Sequence, residues 1–192
     1  MNDFWSRFWH SMIKMSQKEM SNIDFSDLLI SCIMAVIIVQ LVGLVYSRLF
    51  RKKRNVKREL VVMLLLMTMI LMYEVAVLGR SQLPVRYVRT KLWWFGKNMD
   101  DNTANLLNVL FFVPFGIEIG MLLSERPMVN RVVMAACYSF LMSLSIEITQ
   151  YISQRGYFEL VDMETNTVGG ILGAIGVATF LSKNRALQEE NK

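Results

Sequence analysis

The chain has 192 residues, 54% of them hydrophobic and only 19% charged, with a formal net charge of +5. A soluble domain carries about a quarter charged residues; here the apolar residues are gathered into long blocks, which argues against a soluble enzyme or carrier. The basic residues sit in the links between the blocks, which argues against nucleic-acid binding and suits a chain bordered by anionic lipid.

The blocks predict an all-α fold, a polytopic transmembrane helical bundle of about five spans at 28–50, 59–79, 104–123, 132–152 and 166–181. About twenty helical residues cross a hydrocarbon core of roughly 30 Å, and a helix bonds its own backbone internally. The organisation that follows is an interfacial segment at 1–27, a two-helix hairpin with its loop at 28–99, a three-helix core at 100–182 and a tail at 183–192.

In chain order, Phe4, Trp5, Phe8, Trp9, Met12 and Ile13 recur at helical spacing, with Asp3, Arg7, His10, Lys14 and Lys18 between them. This predicts an interfacial amphipathic helix with its aromatics in the headgroup zone; a partner-binding helix is the alternative. His10 is the only histidine and falls on the polar face, so it has no ligand role. The first apolar run, Leu28–Phe50, begins late and exceeds an h-region in length, so it reads as a span and not as a cleavable signal. Cys32 and Cys137 both fall inside spans and are expected as buried thiols. No metal and no cofactor is expected.

The link Arg51–Arg58, "RKKRNVKR", holds six positive charges in eight residues, which places it in the cytoplasm. Alternation then puts the N-terminus outside, the "SERPMVNR" turn and the C-terminal tail inside, and residues 80–103 and 153–165 outside. Arg80, Arg86, Arg89, Lys91 and Lys97 run against that bias. Either the denser cluster sets the orientation or these residues meet something anionic outside; the inverted orientation is the alternative. Trp93 and Trp94 suit an interfacial belt.

Polar residues inside spans are costly unless they face protein or water. Glu74 lies in the outer half of the second span, Asn105 and Asn108 in the first turns of the third, and Glu147 and Gln150 in the last turns of the fourth. Asn166 and Thr167 open the fifth, with Arg155 and Asp162 in the loop before it. All are expected at one depth, near the outer headgroup boundary. Ser139, Ser143, Glu147, Gln150 and Gln154 form one stripe at helical spacing, expected to face the bundle interior. Helix–helix adhesion is one reading of it, at about 0.6–2 kcal/mol per pair. A carboxylate beside an arginine points instead to a wet cavity or a ligand site.

Pro114 frees the carbonyl of Leu110, so a kink is expected there. Glu118 lies deeper and is kept apart from the cluster. Gly169 with Gly173, and Gly170 with Ala174, form small-residue pairs that Gly176 extends, a close helix-packing face. Asn166 is expected to cap the last span, whose dipole favours an anion at that end.

"NLLNVLFFVPFG" (Asn105–Gly116), "SIEITQ" (Ser145–Gln150), Arg155 and "DMETNTVGGILG" (Asp162–Gly173) resemble, in order and spacing, the VanZ-like family of bacterial membrane proteins. The resemblance covers about residues 100–180 and carries over to Asn105, Asn108, Pro114, Gly116, Glu147, Gln150, Arg155, Asp162, Asn166 and Gly169. It implies a small multi-pass protein of the cell membrane, linked to low-level resistance to teicoplanin-type glycopeptide and lipoglycopeptide antibiotics.

Three functions compete. The first is binding of an anionic or amphiphilic envelope molecule, whether a membrane lipid, a cell-envelope precursor or a lipopeptide antibiotic. The candidate ligand-binding residues are Asn105, Asn108, Glu147, Gln150, Arg155, Asp162 and Asn166. Here Glu147 and Asp162 would hold Arg155, and Arg155, the last helix start and the 80–97 loop would meet acidic groups. The second is an intramembrane enzyme acting on a lipid-phosphate or cell-wall precursor. Glu147 would then be general base, Asp162 an acid or metal ligand and Arg155 an anion clamp, with Mg²⁺ the metal that suits oxygen ligands. The third is transport, which the cluster's confinement to one depth argues against.

Overall fold

The computed structural model describes residues 2–20, 23–51, 53–92 and 98–190. Six helices follow in order: α1 (Asn2–Met20), α2 (Phe25–Leu49), α3 (Val56–Tyr73, continued by a π-helical turn over Glu74–Leu78), α4 (Met99–Leu122), α5 (Met128–Ser153) and α6 (Leu160–Glu190). Five of them are long and apolar enough to span a bilayer: Phe25–Leu49, Val56–Leu78, Met99–Leu122, Met128–Ser153 and Leu160–Lys183. The chain is an all-α membrane protein.

The helices begin where side chains can take up free amide donors. Asp24 accepts from the Ser26 and Asp27 amides, Asn55 from Arg58 and Asn98 from Asp100. The Asn98 cap, with Asp100 and Asp101 in the first turn, starts α4 five residues before the expected 104. Asn105 and Asn108 therefore lie in its second and third turns. α6 begins at Leu160 and not at 166, so Asp162 belongs to its first turn and Asn166 sits inside the helix, where it caps nothing. The expected tail continues α6 as helix to Glu190. α4 runs unbroken through Pro114, which is exposed on the outside of the bundle.

α6 packs chiefly on α4 and then on α5, through glycines. A Cβ on Gly169 would come 2.1 Å from the Val109 carbonyl oxygen and one on Gly173 2.2 Å from that of Val113, both on α4. A Cβ on Gly116 would come 2.0 Å from the Gly170 carbonyl oxygen, and one on Gly170 1.8 Å from Ser139 Oγ on α5. The backbones are too close for any side chain at these positions. Gly176 has open space around it and is not part of this face. Phe112, Phe115, Ile119, Ala135, Met142, Ile146 and Ala174 fill the core, joined by Met72 and Val77 from the α3 segment.

α2 touches mainly α3 and buries only Ala35 and Val39. At one end of this hairpin Arg54 pairs with Glu59 and donates to Gln40, and the missing side chain of Gly43 leaves room for the Glu59 carboxylate 3.1 Å from an ideal Cβ. α1 lies against the start of α4, where Ser11 donates to Asp100 Oδ1 at 2.8 Å. Trp5, Trp9 and Ile13 point away from the protein, as an interfacial helix requires. The Phe4 and Lys18 side chains, Trp93, Trp94 and Lys97 lie outside the described residues. The cysteines are free, but Cys32 is half-buried and Cys137 exposed: both sit on helix faces turned away from the core, not within it as expected.

A short parallel pairing, absent from the sequence expectation, joins β1 (Val88–Arg89) to β2 (Phe158–Glu159). With it the 80–92 segment straps the α5–α6 link. Leu83 N donates to Gln154 O at 2.6 Å, and Phe158 N to Tyr87 O at 3.1 Å.

The glycine crossing yields a prediction. Gly116→Ala and Gly170→Ala each overpack the α4–α6–α5 contact and should cost about 1–3 kcal/mol. Gly176→Ala should be neutral or slightly stabilising. Thermal unfolding in detergent micelles reads the difference; equal midpoints for all three would contradict the packing described.

Candidate functional site

α5 carries the polar stripe into the bundle. Ser139 and Ser143 are fully buried, Glu147 is 1% exposed and Gln150 2%. Carboxylates and amides so deep need partners, and most of those partners are backbone groups at the ends of neighbouring helices. Glu147 Oε2 accepts from the Glu159 amide at 2.7 Å. Glu159 immediately precedes α6, so the Glu147 carboxyl group takes up an amide at this helix start. Gln150 Nε2 donates to the Ala76 carbonyl at 2.8 Å, a group belonging to the π-helical turn of the α3 segment. Gly156 lets the loop close over this amide, since a Cβ there would come 2.9 Å from Gln150 Cδ. Asn166 Nδ2 donates to Ser143 Oγ at 2.8 Å, tying α6 to α5.

Arg155 takes a different place from the one expected. Its Nη1 donates to the Leu78 carbonyl at 2.5 Å and to the Arg80 carbonyl at 3.3 Å, closing the end of the π turn. The expected clamp, with Glu147 and Asp162 holding Arg155, does not form, because Glu147 is committed to an amide and Arg155 to carbonyls. The arginine whose charge reaches both carboxyls is Arg80. The strap brought it there, a placement that charge counting along the sequence did not reveal.

Asp162, in the first turn of α6, is half-buried and hydrogen-bonded by the Asn108 side chain from α4. Asn105, one turn earlier on α4, is 8% exposed. The seven candidate residues thus fall into two layers. Glu147, Gln150 and Asn166 form a sealed layer in which the first two fasten helix ends and Asn166 ties α6 to α5; Asn105 is buried as well. Asn108, Asp162 and Arg155 lie on a half-buried rim.

Residues missed by the sequence reading complete the rim. Glu159 is half-buried and its carboxylate meets Arg89 at 3.2 Å. Arg89 lies over the Tyr157 ring at 4.8 Å and Arg86 over that of Tyr151 at 5.8 Å. The basic loop was visible; its seat on aromatic residues of the α5–α6 link was not. In and beside the sealed layer, Ser139 Oγ, Gln150 Oε1 and Asn166 Oδ1 are buried without a hydrogen-bond partner among the described residues.

Two other acids stand apart. Glu118 is 7% exposed and accepts from Thr68 Oγ1 at 2.7 Å, deeper along α4, as expected. Glu74, expected within the cluster, instead faces α2 from the π turn, with Asp24 and Asp27 as its charged neighbours. The same turn that offers Ala76 O to Gln150 directs Glu74 to the other side.

Comparison with known proteins extends these observations. Protein VanZ of Enterococcus faecium is 35% identical over 66 residues, which cover 34% of this chain and 38% of that protein. The match therefore spans well under two thirds of that relative's length. No solved structure matches the chain. Residues 28–181 match the VanZ/LLP1 family, a range that takes in α2 and α3 and so exceeds the 100–180 read from motifs. With α3, α4 and α5 and most of α2 and α6 inside that match, the chain belongs to the VanZ/LLP1 family.

Proposed function

We propose that this is a multi-pass protein of the cell membrane whose rim, at the strapped end of the bundle, binds an anionic or amphiphilic envelope molecule, and that it contributes to tolerance of glycopeptide or lipoglycopeptide antibiotics. The resistance role rests on family membership and on the likeness to Protein VanZ. The binding role rests on one observation above all: a rim of half-buried Asn108, Asp162 and Arg80 with exposed Arg89 lies over a buried layer in which Glu147 and Gln150 hold backbone groups at helix ends. A sealed layer fixes geometry. A rim of mixed charge recognises: its arginines suit a phosphate or carboxylate, and Asp162 with Asn108 suits hydroxyls or amides.

The ligand class that fits is an amphiphile with an acidic group and several hydroxyl or amide groups, such as a lipid-linked envelope precursor or a lipopeptide antibiotic. In a strain producing the protein, Asp162→Asn and Arg80→Ala should return glycopeptide tolerance towards that of the strain lacking it, with protein level unchanged. Each variant removes one charged contact, so binding of the ligand should weaken about tenfold or more. Unchanged tolerance at normal protein level would contradict the rim as the site.

A second reading, an intramembrane enzyme, is favoured by one feature: Glu147 and Asp162 are close enough to act on each other electrostatically. Among the described residues no group of three or more acidic, histidine or cysteine side chains gathers as a metal would need, so no step is routed through Mg²⁺. Turnover of a lipid phosphate by the purified protein, lost in Glu147→Gln, would establish the enzyme. Binding of that lipid without turnover is the expected outcome.

A further inference from the structure

A second polar feature lies away from the rim, between α2 and the end of the α3 segment. A cavity of about 370 Å³ is lined by Ser31, Leu66, Met69, Ile70, Tyr73, Glu74 and Leu78. Its walls are largely apolar and it is open on one side. Glu74 is 7% exposed, and among the described residues no hydrogen bond or ion pair is found for its carboxyl group. The cavity's other wall groups include two hydroxyls: Ser31, and Tyr73, whose own hydroxyl is turned to Ser145 Oγ at 2.8 Å.

The position along the helices matters as much as the chemistry. Ser31 lies six residues into α2, about 9 Å along its axis. Glu74 lies four residues from the end of its span at Leu78, about 6 Å. Both therefore lie within about two turns of neighbouring ends of the α2–α3 hairpin. Asp24 and Asp27 precede Ser31 by seven and four residues, on the same side of α2, and both act electrostatically on Glu74. An acidic mouth therefore leads to a single buried carboxyl at the head of an apolar groove. Ile30, Met34 and Leu78 beside it are exposed, as side chains in contact with lipid are.

An unpartnered carboxyl at this depth is costly unless a cation meets it or it holds its proton. The acidic mouth repels phosphate and carboxylate and attracts ammonium. We propose that the α2–α3 cavity is a lateral binding site for a bilayer amphiphile bearing a protonated primary amine, with the ammonium on Glu74 and Ser31 and the alkyl part along Leu66, Met69 and Ile70. The site is separate in residues and opposite in charge preference from the rim. The two share one element: Ala76 O of the π turn holds Gln150, while Glu74 of that turn faces the cavity.

The test uses the full chain in nanodiscs of equal phosphatidylethanolamine and phosphatidylglycerol, released for native mass spectrometry. Retention of the ethanolamine lipid over the glycerol lipid is expected in the wild type and in Gly176→Ala, a change on the outer side of α6 that touches neither site. Glu74→Gln should lower that preference at least tenfold. Ser31→Leu, which fills the cavity and leaves the carboxyl in place, should lower it likewise and covers the case in which Glu74→Gln fails to fold. Preference for the glycerol lipid, no preference, or a preference that survives both variants would overturn the proposal and leave Glu74 as a structural group only. Loss of preference in Asp162→Asn alone would assign the lipid to the rim.

Discussion

One hydrogen bond organises the polar end of this bundle: the Glu147 carboxylate of α5 accepting the amide of Glu159 at the start of α6. A carboxyl group that is 1% exposed inside a membrane protein has few stable arrangements. A helix start offers one, since its amides are unbonded and its dipole favours negative charge. The contact fixes where α6 begins. That in turn sets Asp162 beside Asn108 and carries Phe158 and Glu159 to the strap. Gln150 and Arg155 do the same for the other side, holding the Ala76 and Leu78 carbonyls that the π turn exposes.

The rest of the fold makes those contacts reachable. Gly116, Gly169, Gly170 and Gly173 bring α4, α5 and α6 to backbone contact, so short side chains such as Ser143 and Asn166 can meet across the gap. Packing of this kind is the main adhesive between helices in lipid, where no hydrophobic force separates one apolar surface from another. The sealed polar layer and the glycine crossing are thus one construction. The half-buried rim lies above it.

Much of this was legible in the sequence because hydrocarbon imposes strong rules. The number of spans followed from apolar run length, and the inward face of α5 from the spacing of Ser139, Ser143, Glu147 and Gln150. What escaped was local. Asn98 and the Glu147 contact start α4 and α6 several residues before the apolar pattern does, because caps and polar first turns carry no hydropathy signal. The partner of each charge also escaped. Arg155 is the obvious mate for two nearby acids, yet backbone carbonyls at a π turn, which no pattern of side chains announces, claim it instead. Gly176 continued a small-residue motif in sequence but falls on the outer side of α6.

The organising role of Glu147 can be measured directly by amide hydrogen exchange across residues 155–162 in wild type, Glu147→Gln and Glu147→Ala. With the acceptor removed, the Glu159 amide and its neighbours should exchange about ten- to a hundredfold faster in Glu147→Ala, as leaving a buried donor unsatisfied implies. Glu147→Gln, which keeps an oxygen acceptor, should fall between. Unaltered protection over 155–162 in the alanine variant would contradict the claim that this buried carboxylate sets the start of α6.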